Sequence, residues 1–374
     1  MKYFFPVLLL TVFAGCSTIK MRVPITASDT DWRMMGRTPD KTFFDSSTFQ
    51  FPLQELWTYN ASAGFGYGQP IIADSAIFFG TLQGEVHAVN IQTGKRFGSM
   101  KMFSPIPSSL AINDTRLYIG TESGKENFSM FDLFSGEMKW TKDLGGVVAS
   151  PILYNDVVFV AGLDGKLYCF DSKYGIQQWF YDSEYEIRST PAVVNNIVAF
   201  ANSNGAILAL NASTGELQWK RNSSNAVTAG ITTYNNYFCV ASRDSMIYLF
   251  DSKTGEEKLR YSAGNKIVAA PSFHNETMYV SSLDGTVTAV SLNDASVIWK
   301  FTAKSAINTS PFITRSAIFT ASLDSYVYAL SPSSGEILWS RKIGKRIKTN
   351  PLVWKNKLFI AAEDRTMYCF GTVK

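Results

Sequence analysis

Histidine is almost absent from this chain of 374 residues; His87 and His274 are the two. So few imidazoles exclude a multi-histidine metal centre and leave little for histidine-based acid–base chemistry. Cysteine is scarce as well, at four, and no two cysteines are adjacent. No stretch reaches the roughly 20 apolar residues that a membrane-crossing helix needs. Charge of one sign is also lacking: 35 Lys and Arg against 31 Asp and Glu leave +4. That surplus is too small to point to nucleic acid as a partner. What is plentiful is apolar and aromatic material, at 46% and 14%, which supplies a large core and excludes general disorder.

The strongest pattern is a period. Trp140, Trp179, Trp219, Leu259, Trp299 and Trp339 follow one another at steps of 39, 40, 40, 40 and 40. Pro151, Pro191, Gly230, Pro271, Pro311 and Pro351 keep the same beat, as do the turn residues Gly136, Gly175, Gly215, Gly255, Ala295 and Gly335. Three locked series define a repeat protein. Within one unit, Pro191–Val194, Ile197–Ala201, Ala206–Asn211 and Glu216–Lys220 read as strands. The turns between them are Asn195-Asn196, Asn204-Gly205 and Ser213-Thr214-Gly215. Short β-branched and aromatic runs bounded by Asn, Gly and Ser are hairpins. Four such strands per forty residues make a propeller blade.

First strands begin near Pro70, Ser109, Pro151, Pro191, Gly230, Pro271, Pro311 and Pro351, so eight blades are expected. The last unit ends at Lys374 with no residues left for its fourth strand. Leu53–Tyr59 reads like a fourth strand, with Trp57 in register. The expected fold is all-β: a single eight-bladed propeller over residues 51–374, closed by this N-terminal strand. Closure removes the free sheet edges that invite aggregation. Phe97 stands near the tryptophan position of blade one, and blade two has a longer second turn around Gly124 to Asn127.

Met1-Lys2, the apolar run Phe4–Phe13 and Phe13-Ala14-Gly15-Cys16 together resemble the signal peptide and lipobox of bacterial lipoproteins. That resemblance implies removal of residues 1–15, lipidation of Cys16 and a lipid-anchored tether over 16–50. Ser17 after the cysteine resembles the outer-membrane sorting pattern, so the implied location is the periplasmic face of the outer membrane. With Cys16 used, Cys169, Cys239 and Cys369 are odd in number and read as small buried apolar residues.

Ala161-Gly-Leu-Asp-Gly-Lys-Leu-Tyr-Cys-Phe-Asp171 and Asn202-Ser-Asn-Gly-Ala-Ile-Leu-Ala-Leu-Asn211, each followed by its glycine and tryptophan, look like pyrroloquinoline-quinone-type (PQQ-like) propeller repeats. The resemblance covers about residues 50–374. With the lipobox, the chain resembles the BamB-like propeller lipoproteins of the outer-membrane β-barrel assembly machinery. This implies a non-enzymatic scaffold without cofactor, a single propeller within a larger complex, and the periplasmic domains of a barrel-assembly protein as partner. Asp31-Trp-Arg-Met-Met-Gly-Arg-Thr-Pro39 looks instead like a segment preceding the propeller in many secreted PQQ-like repeat proteins; the BamB-like proteins lack it.

The repeat itself accounts for most conspicuous residues. Asp164, Asp244, Asp284, Asp324 and Asp364 recur at one tight-turn position, where the side chain caps the turn. A quinoprotein dehydrogenase, the enzymatic alternative, resembles this chain in its repeats but carries an adjacent cysteine pair and calcium ligands. His87, between Val86 and Ala88 on a third strand, reads as structural. Function is therefore expected on the loops that rim the channel. Asp182-Ser-Glu-Tyr-Glu-Ile-Arg188 joins blades three and four and offers Glu184, Tyr185, Ile187 and Arg188 as partner contacts, at a place comparable to the partner-binding connection of BamB-like proteins. Arg341-Lys-Ile-Gly-Lys-Arg-Ile-Lys348 joins blades seven and eight, and Lys345, Arg346 and Lys348 suit an acidic partner or an envelope polysaccharide.

Overall fold

Each forty-residue unit forms one antiparallel sheet, because its apolar runs are too short and too often interrupted by turn residues for anything else. The computed structural model describes residues 19–20, 31–39, 41 and 43–372. Eight sheets of this kind are present. In blade four the strands are Ala192–Val194, Ile197–Ala201, Ala206–Asn211 and Leu217–Asn222, paired in that order. The second strand is buried along its whole length and the third up to Leu210, whereas the outermost alternates toward solvent. The core therefore lies between blades, face against face, in a ring. Among the described residues no helix is long and apolar enough to cross a membrane.

The ring closes through the chain's two ends. Gln54–Asn60 pairs antiparallel with Thr366–Gly371, placing Trp57 opposite Cys369. That is the register Trp219 has against Ala209 and Trp299 against Ala289. Every outer strand carries an extra residue just before this position, and such a bulge bends and twists the strand. The tryptophans lock neighbouring blades. The Trp140 indole N–H donates to Lys173 O at 3.1 Å, and that of Trp219 donates to Ser252 O at 2.9 Å. Five of the rings lie on the next blade's left-handed turn glycine: a Cβ on Gly175 would sit 2.6 Å from Trp140, and one on Gly255 2.7 Å from Trp219.

Two series shift by one residue. In blade one Ala88 faces Gly98, so Gly98 holds the tryptophan position and Phe97 is the exposed bulge residue. In blade five the first strand is Thr232–Tyr234, forty residues after Ala192–Val194. Ile231 therefore stands where the prolines do, and Gly230 aligns with Thr190. The recurrent aspartates cap turns: Asp164 Oδ1 accepts from Lys166 N and Asp324 Oδ1 from Tyr326 N. Their other oxygens accept the hydroxyls of Tyr168 and Tyr328. The three cysteines are free and buried, and burial raises the Cys169 and Cys369 thiols to about 12.

The described parts of the expected tether, Ile19–Lys20 and the residues from Asp31 onward, are packed against the ring. Trp32 is fully buried, 4.8 Å from Phe312 between ring centroids. Phe44–Asp45 runs parallel to Phe312–Thr314 as a fifth strand of blade seven, and Phe44 stacks on His274. The signal segment and Cys16 lie outside the described residues.

Candidate functional site: a plugged channel and its rim

A propeller's innermost strands turn a row of backbone groups toward the central channel, and buried backbone groups require partners. Here the N-terminal segment supplies them. The carbonyls of Trp32, Arg33, Pro39 and Phe43 accept from the N–H groups of Ile72, Ile112, Val193 and Ile313, on blades one, two, four and seven. Gly36 makes the tight turn this path needs; its φ is +74°, and a Cβ there would lie 2.6 Å from Lys41 Cβ.

Two residues before its first strand, each blade contributes one residue to a ring: Gln69, Ser109, Ser150, Thr190, Gly230, Ala270, Ser310 and Asn350. The backbone N–H of one donates to the side chain of the next, as Gln69 to Ser109 at 2.8 Å, Ser109 to Ser150 at 3.1 Å, Ser150 to Thr190 at 3.1 Å and Ser310 to Asn350 at 2.8 Å. Gly230 and Ala270 offer no side-chain acceptor, and at Gly230 the space is filled from below. Lys41, fully buried, donates from Nζ to Thr190 O at 2.8 Å and Ile231 O at 2.9 Å. Burial holds its pKa well below the ordinary lysine value. A Cβ on Gly230 would sit 3.6 Å from that nitrogen. Met35 lies beside it, its sulfur accepting from the Ser150 hydroxyl at 3.6 Å.

The segment thus closes one end of the channel. Above it remains a cavity of about 630 Å³ whose lining runs from Met35 to Tyr67, Glu122, Arg188 and Arg243 at the opposite rim. A quinone cofactor with calcium would require a cluster of carboxylate and amide donors here. Glu122 is the one carboxylate of the lining, and no cluster of three His, Cys, Asp or Glu suited to a metal occurs among the described residues. The donor set does not fit that group.

The rim shows where each expected contact stands. Glu184, with φ +69°, donates its N–H to Asp182 Oδ1, and Tyr185 is 47% exposed. Arg188 points to solvent but is paired with Glu186 at 2.9 Å. Ile187 is 0% exposed, so it is not a partner contact. It packs with Leu144, Leu167 and Phe200 between blades three and four. Val147, Val227, Ile267, Ile307 and Ile347 are buried at the same repeat position, a periodicity that marks Ile187 as core.

The basic stretch divides. Arg341 and Lys342 belong to an outer strand, Lys345 and Arg346 are exposed on the rim, and Lys348 is paired with Glu363. Lys348 occupies the repeat position of Arg188 four blades away, so the two stand across the channel from each other. Each is held by a carboxylate, and exposed pairs of this kind leave little net charge or stability.

His87 belongs to the closure. It is 3% exposed, with Nδ1 3.0 Å from the Tyr59 hydroxyl and Nε2 3.2 Å from the Ser62 hydroxyl. It thereby ties blade one to the closing strand. Burial lowers its pKa to about 4, against the pull of neighbouring Glu85. The folded state therefore binds its proton only near pH 4, whereas the unfolded chain binds it near 6.5. Stability is full above pH 6.5 and falls as pH drops toward 4, by up to about 3 kcal/mol. Urea midpoints between pH 7 and 5 should show this loss, and His87→Gln should flatten it.

This is an eight-bladed propeller of PQQ-like repeats with a self-plugged channel. A family model described as "Outer membrane protein assembly factor BamB" matches residues 82–226, 203–317 and 284–372, and the chain belongs to that family. A curated relative, the outer membrane protein assembly factor BamB of Burkholderia pseudomallei (strain K96243), is 25% identical over 175 residues, 46% of this chain and 40% of the relative. The match thus spans less than half of that relative's length. The crystal structure of BamB from Moraxella catarrhalis aligns with TM-score 0.73 at 19% identity, covering 86% of this chain and all of that one. A quinohemoprotein alcohol dehydrogenase from Pseudomonas putida HK5 aligns at 0.80 with 13% identity over 93% of this chain and 81% of its own. At such identities the two structural likenesses concern the fold alone.

Proposed function

We propose that this protein is a non-catalytic scaffold of the outer membrane, lipidated at Cys16 and facing the periplasm, that serves the assembly and insertion of outer-membrane β-barrel proteins. Its partner is the periplasmic part of a barrel-assembly protein. The observation that carries this reading is the family match from blade one to the end of blade eight. The rim supports it: Tyr185 and Arg188 stand together at the blade three to four connection, aromatic and guanidinium groups of the kind that dominate protein interfaces. The envelope-polysaccharide reading depends on a free basic stretch, and the pairing of Lys348 with Glu363 weakens it.

The test is the double substitution Tyr185→Ala with Arg188→Glu. It is expected to lower recovery of the barrel-assembly protein about tenfold, the loss of one hot spot, with the urea midpoint unchanged. Lys345→Glu with Arg346→Glu should leave recovery intact. The reverse ranking would move the interface to the basic stretch, and equal recovery from both variants would remove the rim from the account.

A further inference from the structure

Five tryptophans rest on the turn of the following blade, each donating its indole N–H to a carbonyl there: Trp57 to Ile91, Trp140 to Lys173, Trp179 to Ala212, Trp219 to Ser252 and Trp299 to Pro332. Blade five keeps an apolar side chain at the tryptophan position, Leu259, but blade one has none, with Gly98 in that place. The receiving turn of blade two keeps its left-handed glycine, Gly136, with φ +74°. The notch so created is not empty. The methylenes of Lys20 lie 3.5–3.8 Å from where a Gly136 Cβ would be. Ile19 is 1% exposed and packs in one cluster with Ile71 and Phe78 of blade one and Leu117, Phe131 and Leu133 of blade two. The chain's own N-terminal segment substitutes for the missing indole.

We propose that this notch is the seat of the membrane anchor: it fixes where the lipid leaves the propeller, so that the bilayer surface meets the outer edge of blades one and two. This rests on lipidation of Cys16. Cys16 and Ile19 are three residue steps apart, and an extended chain spans at most about 11 Å over that distance. Counted to the first propeller strand at Gln54, the same leash could exceed 100 Å; docking at Ile19 reduces it about tenfold. The surface beside the notch suits a lipid headgroup region. Phe97, next to Gly98, is 44% exposed, and Phe134 and Met138, on either side of Gly136, are 50% and 39% exposed. Lys20, Lys95 and Arg96 present cations among them, the mixture of apolar and basic groups that interfacial surfaces use. The notch lies with the outer turns, on the face opposite the channel's open rim. The bilayer therefore lies on the plugged side, and Tyr185 and Arg188 point away from it.

The experiment uses the full lipidated chain in vesicles containing a headgroup-quenching lipid, with a fluorophore on Phe134→Cys or on Asn265→Cys, the latter at the rim of the far side. Label 134 should be quenched at least threefold more than label 265. Gly98→Trp restores the indole and fills the notch, so it should evict Ile19 and Lys20 without unfolding the ring. The quenching difference should then disappear, and trypsin should cut after Lys20 at least tenfold faster. Equal quenching of the two labels in the unsubstituted protein would overturn the proposal, as would a difference that survives Gly98→Trp. Loss of flotation with the vesicles would instead sink the lipidation on which it rests; retained flotation without asymmetry would sink the notch alone.

Discussion

Trp57→Ala is expected to lower the stability of the ring by about 3–5 kcal/mol, the cost of deleting a buried tryptophan. Trp57 is 9% exposed, donates to Ile91 O at 3.2 Å and lies against Gly94 of blade one, while its strand completes blade eight opposite Cys369. It therefore holds two blades at the one point where the ring depends on residues some 300 apart in sequence. Losing it frees the edge of Thr366–Gly371, and an unpaired edge invites intermolecular pairing. Urea denaturation with size-exclusion chromatography checks both effects. The control is Leu56→Ala at the adjacent bulge position, 36% exposed, expected to cost under about 1 kcal/mol. Equal losses from the two variants would mean that the closing strand does not bear the tryptophan lock.

The second large effect concerns the plug. Trp32→Ala removes a fully buried indole packed 4.8 Å from Phe312, again worth about 3–5 kcal/mol. This loss falls on a segment that the closed ring does not need for its own pairing. The expected result is local release. Trypsin cuts at Arg33 and Lys41, residues 54–372 remain folded, and the channel opens at both ends. Lys41 then returns to water, and its pKa rises to the ordinary range. Cleavage confined to globally unfolded molecules would show instead that plug and ring form one cooperative unit.

The sequence made the ring legible because a propeller's information is local and repeated. Turn residues, strand lengths and the tryptophan beat recur in each unit, and Trp57 carried the same beat to the far end of the chain. The errors came from two kinds of residue. Phe97 and Gly230 were each one place off, because the bulge before the tryptophan position and the departure from proline in blade five obscure the register. The plug was missed because residues 31–49 have no period and take their partners from all eight blades; Lys41 reaches Thr190 and Ile231, which no local pattern predicts. One signal was nevertheless present. Gly230 breaks the Ser/Thr series of the channel where the ammonium must enter. Ile187 was misread as a contact although its apolar series, Val147 through Ile347, runs at the same forty-residue step. Tyr185 and Arg188 were legible as exposed rim residues because blade connections must cross a face, but charge counting overstated the basic stretch by ignoring Glu363, which pairs with Lys348.

The most direct test of the account is purification of the tagged, lipidated protein from native outer membranes in mild detergent, with mass-spectrometric identification of what comes with it. A scaffold of barrel assembly should bring down the barrel-assembly protein in near-stoichiometric amount, and Tyr185→Ala with Arg188→Glu should lose it. Recovery of the propeller alone, or with cell-wall polymer in place of assembly proteins, would contradict the account.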